Sequence, residues 1–448
     1  MQNKSIVQKI INIPHERYRM LVWIYLFLLI FEGALRKWFL PGLATPLLLV
    51  REPIALYFFC ISLMKNWFSN PTAIMMIAVA TLSSIMTLIF GHQNLFVSLY
   101  GWRIYALDFT MVFAIAKVLN RDDVLTMGKY ILYCSIPMTI LITLQFYAPQ
   151  SAWVNRGVGG DTEGAGFAGA MGYMRPPGTF SFTSGYVQYQ FLVGSFLFYY
   201  LVVNNSLPKH LKINSIILWV IAGCYAITIP FSISRTHFFQ TFILAAFLIS
   251  GVILTNRIAM VQKLIGSSIA LVFVLALVQV SGIAGTALDA FTDRFTTANE
   301  VEGGSSGAQG ALLSRIAYSL FQGIPYDAPF WGYGMGLGTN AGAKLAGGAN
   351  GMFSFFNAES EINRVLNECG ILLGGIIIVL RISIAITICK AAYKILTNRK
   401  DLLLWMLVPA TFLALMQGQW GTPTSMGFTV LLTGFAYTLM KKNSIYEK

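Results

Sequence analysis

The stretch LNECGILLGGIIIVLRISIAITI, residues 366–388, decides the fold of this chain. It is long and almost wholly apolar, and about 20 such residues span the hydrocarbon core of a bilayer as a helix. Similar segments recur along the 448 residues, of which 56% are hydrophobic and 11% are charged. A soluble chain carries roughly 25% charged residues. The sequence therefore predicts an all-α polytopic membrane protein.

We predict about twelve transmembrane helices in a single membrane domain, residues 1–448. Two polar segments interrupt the series, 148–185 and 283–365, and the second is expected to contain short amphipathic helices. Lysine and arginine fall in alternate short connections, so the positive-inside rule predicts cytoplasmic termini and two external loops. The expected spans are 20–36, 46–64, 72–90, 102–119, 126–147, 186–203, 213–232, 237–255, 264–282, 366–388, 402–419 and 425–440.

The formal net charge of +13 does not indicate a nucleic-acid partner, because the basic residues are scattered between the spans. The five cysteines have neither CxxC nor metal-ligand spacing. The four histidines show no ligand spacing either, and no D-x-D motif would seat a divalent cation. Neither a metal ion nor another cofactor is expected.

Arginine dominates the predicted external side, whereas lysine is nearly confined to the cytoplasmic side, with Lys37 and Lys344 as exceptions. Planar, bidentate recognition of phosphate or carboxylate favours arginine, so the set indicates an anionic ligand at the outer leaflet. The alternative is pairing with the few external acids or anchoring at the interface. The external arginines are Arg36, Arg51, Arg103, Arg156, Arg175, Arg235, Arg294, Arg315 and Arg364.

Two motifs place an arginine beside small hydroxyl groups. In MRPPGTFSFTSG, Met174–Gly185, the Pro-Pro-Gly run predicts a rigid turn that holds Arg175 near several serines and threonines. In IPFSISRT, Ile229–Thr236, a span ends with Arg235 beside two serines. Both arrangements suit an oxyanion. An ordinary turn and an interfacial anchor are the alternative interpretations.

The large loop carries two more candidates. Residues 309–323 have helical apolar spacing and would form an amphipathic helix that bears Arg315. The ladder WGYGMGLG, Trp331–Gly338, contains Gly334 and Gly336, which would bring backbone N–H groups close to a phosphate or sugar. A flexible turn has the same composition, so both interpretations stay open.

At 100° per residue, the segment that ends at Glu368 separates into two polar stripes. Glu361, Arg364 and Glu368 share one side, at spacings that suit ion pairs. Glu359 lies on the other stripe and has no cation on its own helix, so it is a candidate general base. A solvated acid is the alternative.

Charged residues also lie at the ends of other predicted spans. Glu32 and Arg36 are four residues apart, and mutual pairing is the preferred interpretation for them. Arg51 and Arg103 open two further spans. Because charges are costly in lipid, we treat these two as candidate substrate ligands.

Several of these pieces, taken in order, resemble the bacterial O-antigen polymerase and O-antigen ligase superfamily, in particular its exopolysaccharide-polymerase branch. The pieces are FEGALRKW near Glu32, LLLVREP near Arg51, RPPGTFSFTSG, SISR at Ser232–Arg235, SR with Arg315, WGYGMGLG, and ECGILLGG at Glu368–Gly375. Together they span most of the chain.

The resemblance implies a GT-C-like glycosyltransferase in the bacterial cytoplasmic (inner) membrane, with its active site on the external side. Such enzymes pass a sugar chain from an undecaprenyl-pyrophosphate carrier to an acceptor hydroxyl. Arg175, Arg235 and Arg315 would bind the pyrophosphate, and Arg364 would hold the sugar or the phosphate. Membrane lipid, a chain-length regulator and a flippase are the expected partners.

Ligases of this superfamily usually carry a histidine where this chain has Glu359. A carboxylate with a reference pKa of roughly 4.3 is a weak base unless it is desolvated, so the departure favours a polymerase. The leading hypothesis is thus a metal-independent polysaccharide polymerase in which Glu359, Arg235 and Arg315 are catalytic. The alternatives are an O-antigen ligase and, in another class, a transporter or flippase of lipid-linked sugars.

Overall fold

The computed structural model describes residues 15–255, 285–302, 329–339, 342 and 360–441. This part of the chain is mostly helical, with almost no sheet, as predicted. In chain order its α-helices are α1 (His15–Ala34), α2 (Glu52–Met64), α3 (Pro71–Phe90), α4 (Leu95–Arg103), α5 (Met111–Val118), α6 (Arg121–Tyr147), α7 (Thr183–Val203), α8 (Ser215–Phe231), α9 (Arg235–Leu254), α10 (Gly285–Glu302), α11 (Glu361–Cys369), α12 (Gly375–Arg399), α13 (Leu403–Met416) and α14 (Pro423–Met440).

Shorter elements join these helices. One β-hairpin, β1 (Phe167–Ala170) and β2 (Tyr173–Arg175), is the only sheet in the described ranges. It lies in the predicted first loop, and its two connecting residues both have positive φ, as a tight hairpin turn requires. Three π-helical turns, at Leu35–Phe39, Ile104–Asp108 and Gly370–Gly374, adjoin α1, α4 and α12. Short 3₁₀ turns occur at Pro41–Leu43, Pro46–Leu49, Trp153–Asn155 and Asn204–Ser206.

Seven helical stretches in the described residues are long and apolar enough to cross a membrane, by length and composition. Each covers one of the predicted spans. They are His15–Phe39, Pro46–Met64, Pro71–Phe90, Arg121–Tyr147, Thr183–Ser206, Arg235–Leu254 and Glu361–Arg399. These helices agree with the prediction of an all-α membrane protein.

The other five predicted spans differ from this pattern. Spans 213–232 and 402–419 correspond to the shorter apolar helices α8 and α13, and span 425–440 corresponds to α14. Predicted span 102–119 coincides with the end of α4, the π-turn Ile104–Asp108 that interrupts the helix, and α5, and its crossing of the membrane stays a prediction. The Arg103–Asp108 ion pair lies in that interruption. Span 264–282 lies outside the described residues.

Helix α14 lies at the centre of the bundle and packs against α1, α5, α7, α12 and α13. Its residues are nearly all buried, and small residues allow the close approach. A Cβ atom at Gly427 would lie 1.9 Å from Nη1 of Arg51, and one at Gly434 would lie 2.7 Å from Ile115. The helix therefore brings the chain's C-terminal part against its N-terminal elements.

The two ends of the bundle differ in their charges. At one end, Arg121 pairs with Asp401 (Nε–Oδ2 2.9 Å) and Lys129 donates to the carbonyl of His210 (3.1 Å). These contacts join the start of α6 to the connections that follow α7 and α12, and we call this the basic end. At the other end, Lys37 contacts Gly178 in the segment that follows the hairpin. We call this the hairpin end.

The predicted large loop, 283–365, is described only in part. It begins with α10, an 18-residue helix that packs against α8 and β1. The predicted amphipathic helix 309–323 lies outside the described residues. Residues 329–339 pack beside α11, and α11 leads into α12 through the π-turn Gly370–Gly374.

Candidate functional site

A cleft of about 320 Å³ lies at the hairpin end, between α7, α9, α13, α14 and strand β2. Its volume lies within the usual range of small-molecule sites. It is lined by Arg175, Phe182, Thr183, Ser184, Val187, Gln188, Phe191, Ser234, Thr236, Gln240, Ala410, Leu413, Ala414, Gln417, Gly418, Phe428 and Leu432.

The lining of the cleft changes from polar to apolar along the helices. Thr183 and Ser184, in the first turn of α7, give it a polar mouth together with Ser234 beside the start of α9. Phe191 lies about two turns, or roughly 12 Å, further along α7. Leu432 lies inside α14. A ligand that fits this cleft therefore has both a polar and an apolar part.

Arg175 is the last residue of β2 and lines the cleft. Its guanidinium carbon lies 4.6 Å from the centroid of the Phe167 ring, which is paired with it across the hairpin. Arginine commonly stacks on aromatic faces in this way. The hairpin thus fixes the direction of this side chain.

The turn that follows Arg175 is rigid, as the Pro-Pro-Gly sequence predicts. Gly178 has φ +62°, a conformation that favours glycine, and its N–H donates to Oε1 of Gln145 (2.8 Å). The ammonium of Lys37 donates to the carbonyls of Gly178 (2.6 Å) and Phe180 (2.9 Å). Lys37 is fully buried. This clamp joins the turn to α1 and α6.

Lys37 is a residue whose role the sequence did not reveal. The only signal for such a role was that Lys37 is one of two lysines on the predicted external side. A buried ammonium needs partners, because burying an uncompensated charge is costly. Two backbone carbonyls of one turn supply them here.

Arg235 lies at the edge of the cleft. It is the first residue of α9, it is partly buried, and both of its neighbours, Ser234 and Thr236, line the cleft. The hydroxyl of Ser234 caps the helix by accepting from the N–H of His237 (3.3 Å). The first turns of α7 and α9 contain no acidic residue. Two helix N-termini with positive partial charge thus meet at a cleft that two arginines border.

The structure therefore brings together two of the predicted pyrophosphate ligands, Arg175 and the segment of Arg235, from separate parts of the chain. Two other candidates, Arg315 and Glu359, lie outside the described residues. Their placement relative to the cleft stays a prediction. Ser360, which directly follows Glu359, is buried and forms the N-cap of α11.

The predicted ion pairs of α11 are confirmed. Arg364 donates from Nε to Glu361 (2.9 Å), from Nη1 to Glu368 (2.7 Å), and from Nη2 to Glu361 (2.8 Å) and the hydroxyl of Tyr105 (3.0 Å). Its side chain is only 4% exposed. These four hydrogen bonds to protein groups favour a structural role for Arg364, and its role as a substrate ligand stays a prediction.

Arg381 extends this network to the wall of the cleft. It pairs with Glu361 (2.9 Å) and donates to the carbonyls of Leu415 (2.7 Å) and Gly418 (3.1 Å), and Gly418 lines the cleft. Its guanidinium lies 4.0 Å from the centroid of the Trp420 ring. Sequence reasoning missed Arg381. The signal was an arginine in the middle of an apolar span, which needs a buried partner.

Arg51 and Arg103 also serve the fold. Arg51 pairs with Glu32 (3.2 Å) and donates to the carbonyl of Pro423 (2.7 Å). Arg103 pairs with Asp108 (3.3 Å) and with Glu52. Both are nine-tenths or more buried, so their prediction as substrate ligands is not supported by their placement.

The preferred interpretation of Glu32 and Arg36 is confirmed, because they form an ion pair at 3.5 Å. Arg36 also donates to the hydroxyl of Ser181 (2.9 Å) and the carbonyl of Ala44 (2.7 Å). It therefore fastens the segment that leads into α7 to the end of α1.

The glycine ladder is a packing motif in the structure. The N–H of Gly334 donates to the carbonyl of Glu368 (3.1 Å), and a Cβ there would lie 2.4 Å from His92. A Cβ at Gly336 would lie 2.3 Å from the carbonyl oxygen of Val97. Both glycines have positive φ. Gly334 and Gly336 therefore allow close backbone contact with α3, α4 and α11, and their role in substrate binding stays a prediction.

Among the residues that the structure describes, no group of three or more His, Cys, Asp or Glu side chains is placed to hold a metal ion. No protein-family model, no curated protein and no solved structure matches the chain. Function is therefore inferred from the cleft and its residues.

Proposed function

We propose that this chain polymerises undecaprenyl-pyrophosphate-linked polysaccharide repeat units at the outer face of the bacterial cytoplasmic membrane. In this proposal it is a GT-C-like glycosyltransferase with about twelve spans. One observation carries the proposal. A single cleft has Arg175 and the Arg235 segment at its polar mouth, and apolar side chains further in.

The cleft suits the two halves of a lipid-linked sugar. An ionised pyrophosphate presents pairs of oxygen atoms that accept hydrogen bonds, and the planar edge of arginine binds such a pair in a bidentate manner. The N-termini of α7 and α9 add backbone donors of positive partial charge. Beyond the mouth, Phe191, Leu413 and Leu432 offer apolar contact for the first isoprene units of the carrier.

The same placement suits group transfer. The acceptor hydroxyl oxygen forms a bond to the anomeric carbon, and the bond from that carbon to the pyrophosphate oxygen breaks. Negative charge then develops on the leaving pyrophosphate, where fixed cationic donors are most effective. The proton of the hydroxyl passes to a base, the role proposed for Glu359. Arg315 is proposed as a further ligand of the pyrophosphate.

Lysine substitution at the two arginines tests the proposal. Arg175→Lys and Arg235→Lys keep the charge and remove the planar, bidentate edge. Purified protein in detergent, supplied with lipid-linked oligosaccharide, should elongate it, and each variant should be roughly 10- to 100-fold slower. Arg399→Lys is the matched control, because Arg399 is exposed at the basic end, and it should elongate normally.

The outcomes of this assay separate the three functional hypotheses. Elongation in detergent requires no membrane to cross, so it excludes a transporter as the explanation. Normal elongation by both cleft variants would refute the proposed site. Wild-type protein that instead attaches a preformed polymer to a lipid or protein acceptor would identify a ligase.

A further inference from the structure

Gln240 is the most unusual polar residue of the cleft. It lies on α9, roughly 8 Å along the helix from Arg235, and it is 7% exposed. It lines the cleft, and its Oε1 atom has no hydrogen-bond partner among the described residues. The amide oxygen of a residue that is more than nine-tenths buried, and that lines a ligand-sized cleft, is therefore left without a donor among the described residues.

Such an atom is uncommon in a folded protein. About nine in ten or more buried polar atoms are hydrogen-bonded, and an unpaired one destabilises the fold. Gln188, on the facing wall of the cleft, differs in this respect because its amide donates to the hydroxyl of Ser425 (3.2 Å). Because Gln240 lines the cleft, a ligand bound there is placed to supply the missing donor.

The proposed substrate restricts what that donor is. An undecaprenyl chain has no hydrogen-bond donor, and an ionised pyrophosphate offers only acceptors. The sugar is the one part of the molecule with donors, namely hydroxyl groups and, in acetamido sugars, an N–H. Gln240 also lies within the reach of a sugar attached to a pyrophosphate held near Arg235.

We infer that Gln240 accepts a hydrogen bond from a hydroxyl or amide N–H of the lipid-linked sugar, and so recognises the glycan rather than its carrier. This inference rests on the proposed function, because it takes the cleft as the site of the pyrophosphate-linked sugar. It assigns the arginines to the carrier phosphates and Gln240 to the glycan.

The test compares two probes on one variant. Gln240→Met keeps the length of the side chain and removes its polar end. Binding to purified protein in nanodiscs is measured for lipid-linked oligosaccharide, extracted from cells that lack this protein, and for undecaprenyl pyrophosphate, which has no sugar. The variant should bind the sugar-bearing probe about tenfold more weakly and the sugar-free probe as wild type does.

A melting curve without ligand adds a second readout. Because Oε1 has no partner within the described protein, its removal should leave the melting temperature unchanged or higher. Gln190→Met is the matched control. Gln190 is fully buried on α7 and also has an unpartnered Oε1, but it lies outside the cleft lining and bonds to Tyr186. That control should bind both probes normally.

Failure of this inference and failure of the proposed function would give different results. Equal affinity of Gln240→Met and wild type for the sugar-bearing probe would overturn the inference and leave the proposed function standing. A lower melting temperature, or an equal loss for both probes, would also overturn it, by showing a structural role. Wild-type protein that binds neither probe would overturn the proposed function and this inference with it.

Discussion

Four charged side chains, three along α11 and one in α12, form a buried cluster of zero net charge. Arg364 and Arg381 supply two positive charges, and Glu361 and Glu368 supply two negative ones. All four are at most 4% exposed. Buried charges are tolerated when they are paired and hydrogen-bonded, and the loss of one partner leaves the other uncompensated. Each member is therefore needed for the stability of this end of the bundle.

This balance predicts a stability defect for Arg364→Met. The substitution leaves Glu368 without its ion pair and removes two bonds from Glu361, so the free energy of unfolding should fall by about 3–5 kcal/mol. Thermal melting in detergent measures the effect. The double variant Arg364→Met/Glu368→Gln, which removes one stranded charge, should melt higher than the single variant. A single variant that melts normally but binds lipid-linked oligosaccharide weakly would instead support Arg364 as a substrate ligand.

The arginines also show what local sequence spacing predicts and what it does not. The pairs of Arg364 lie within one helix, three and four residues apart, and were predictable from the helical period. The partners of Arg51 and Arg103 come from other elements, so their pairing depended on how the helices pack. Sequence analysis singled these arginines out, but it could not separate structural arginines from those near the cleft.

At the scale of elements, the cleft depends on the turn between β2 and α7. The hairpin fixes Arg175 against Phe167, and the turn delivers Thr183 and Ser184 to the mouth. The ammonium of Lys37, in the π-turn that follows α1, donates to two carbonyls of this turn. Lys37, which lies outside the cleft, thus supports the position of Arg175, which lines it.

Removal of this clamp should affect both stability and binding. Lys37→Met removes the ammonium donor to the carbonyl of Phe180 and weakens the hold on Gly178, at a cost of about 1–3 kcal/mol per unpaired group. We expect a lower melting temperature and weaker binding of undecaprenyl pyrophosphate. Lys390→Met, at an exposed position on α12, is the control and should change neither. Wild-type behaviour of Lys37→Met would show that the two prolines fix the turn unaided.

The glycine ladder illustrates why sequence can locate an element and still leave its role open. The sequence shows several glycines in alternation, which predicts either a turn or a phosphate cradle. The choice between a turn and a phosphate cradle depends on which group contacts the backbone of the ladder. In the structure that partner is the end of α11, whose Asn367 and Glu368 carbonyls accept from Tyr333 and Gly334. This contact joins segments more than 30 residues apart, beyond the reach of local pattern.

At the scale of the whole molecule, the two ends of the bundle differ in where their cationic residues lie. The basic end carries lysines and arginines in short connections, such as Lys400 beside Asp401. The hairpin end carries the cleft and the buried arginine clusters. The positive-inside rule then predicts that the basic end faces the cytoplasm and that the cleft opens outside.

Cysteine labelling of intact cells tests this orientation. In a background with the five native cysteines replaced, Thr236→Cys puts a thiol at an exposed position of the cleft lining, and Asn398→Cys puts one at an exposed position near the end of α12. A membrane-impermeant maleimide should label the first in intact cells and the second only after permeabilisation, because a charged reagent does not cross the bilayer. The cysteine-free background controls for other reactive groups.

Labelling of Asn398→Cys in intact cells, with Thr236→Cys protected, would invert the topology. A cleft open to the cytoplasm could not receive sugar chains assembled outside, so that result would also contradict the proposed function.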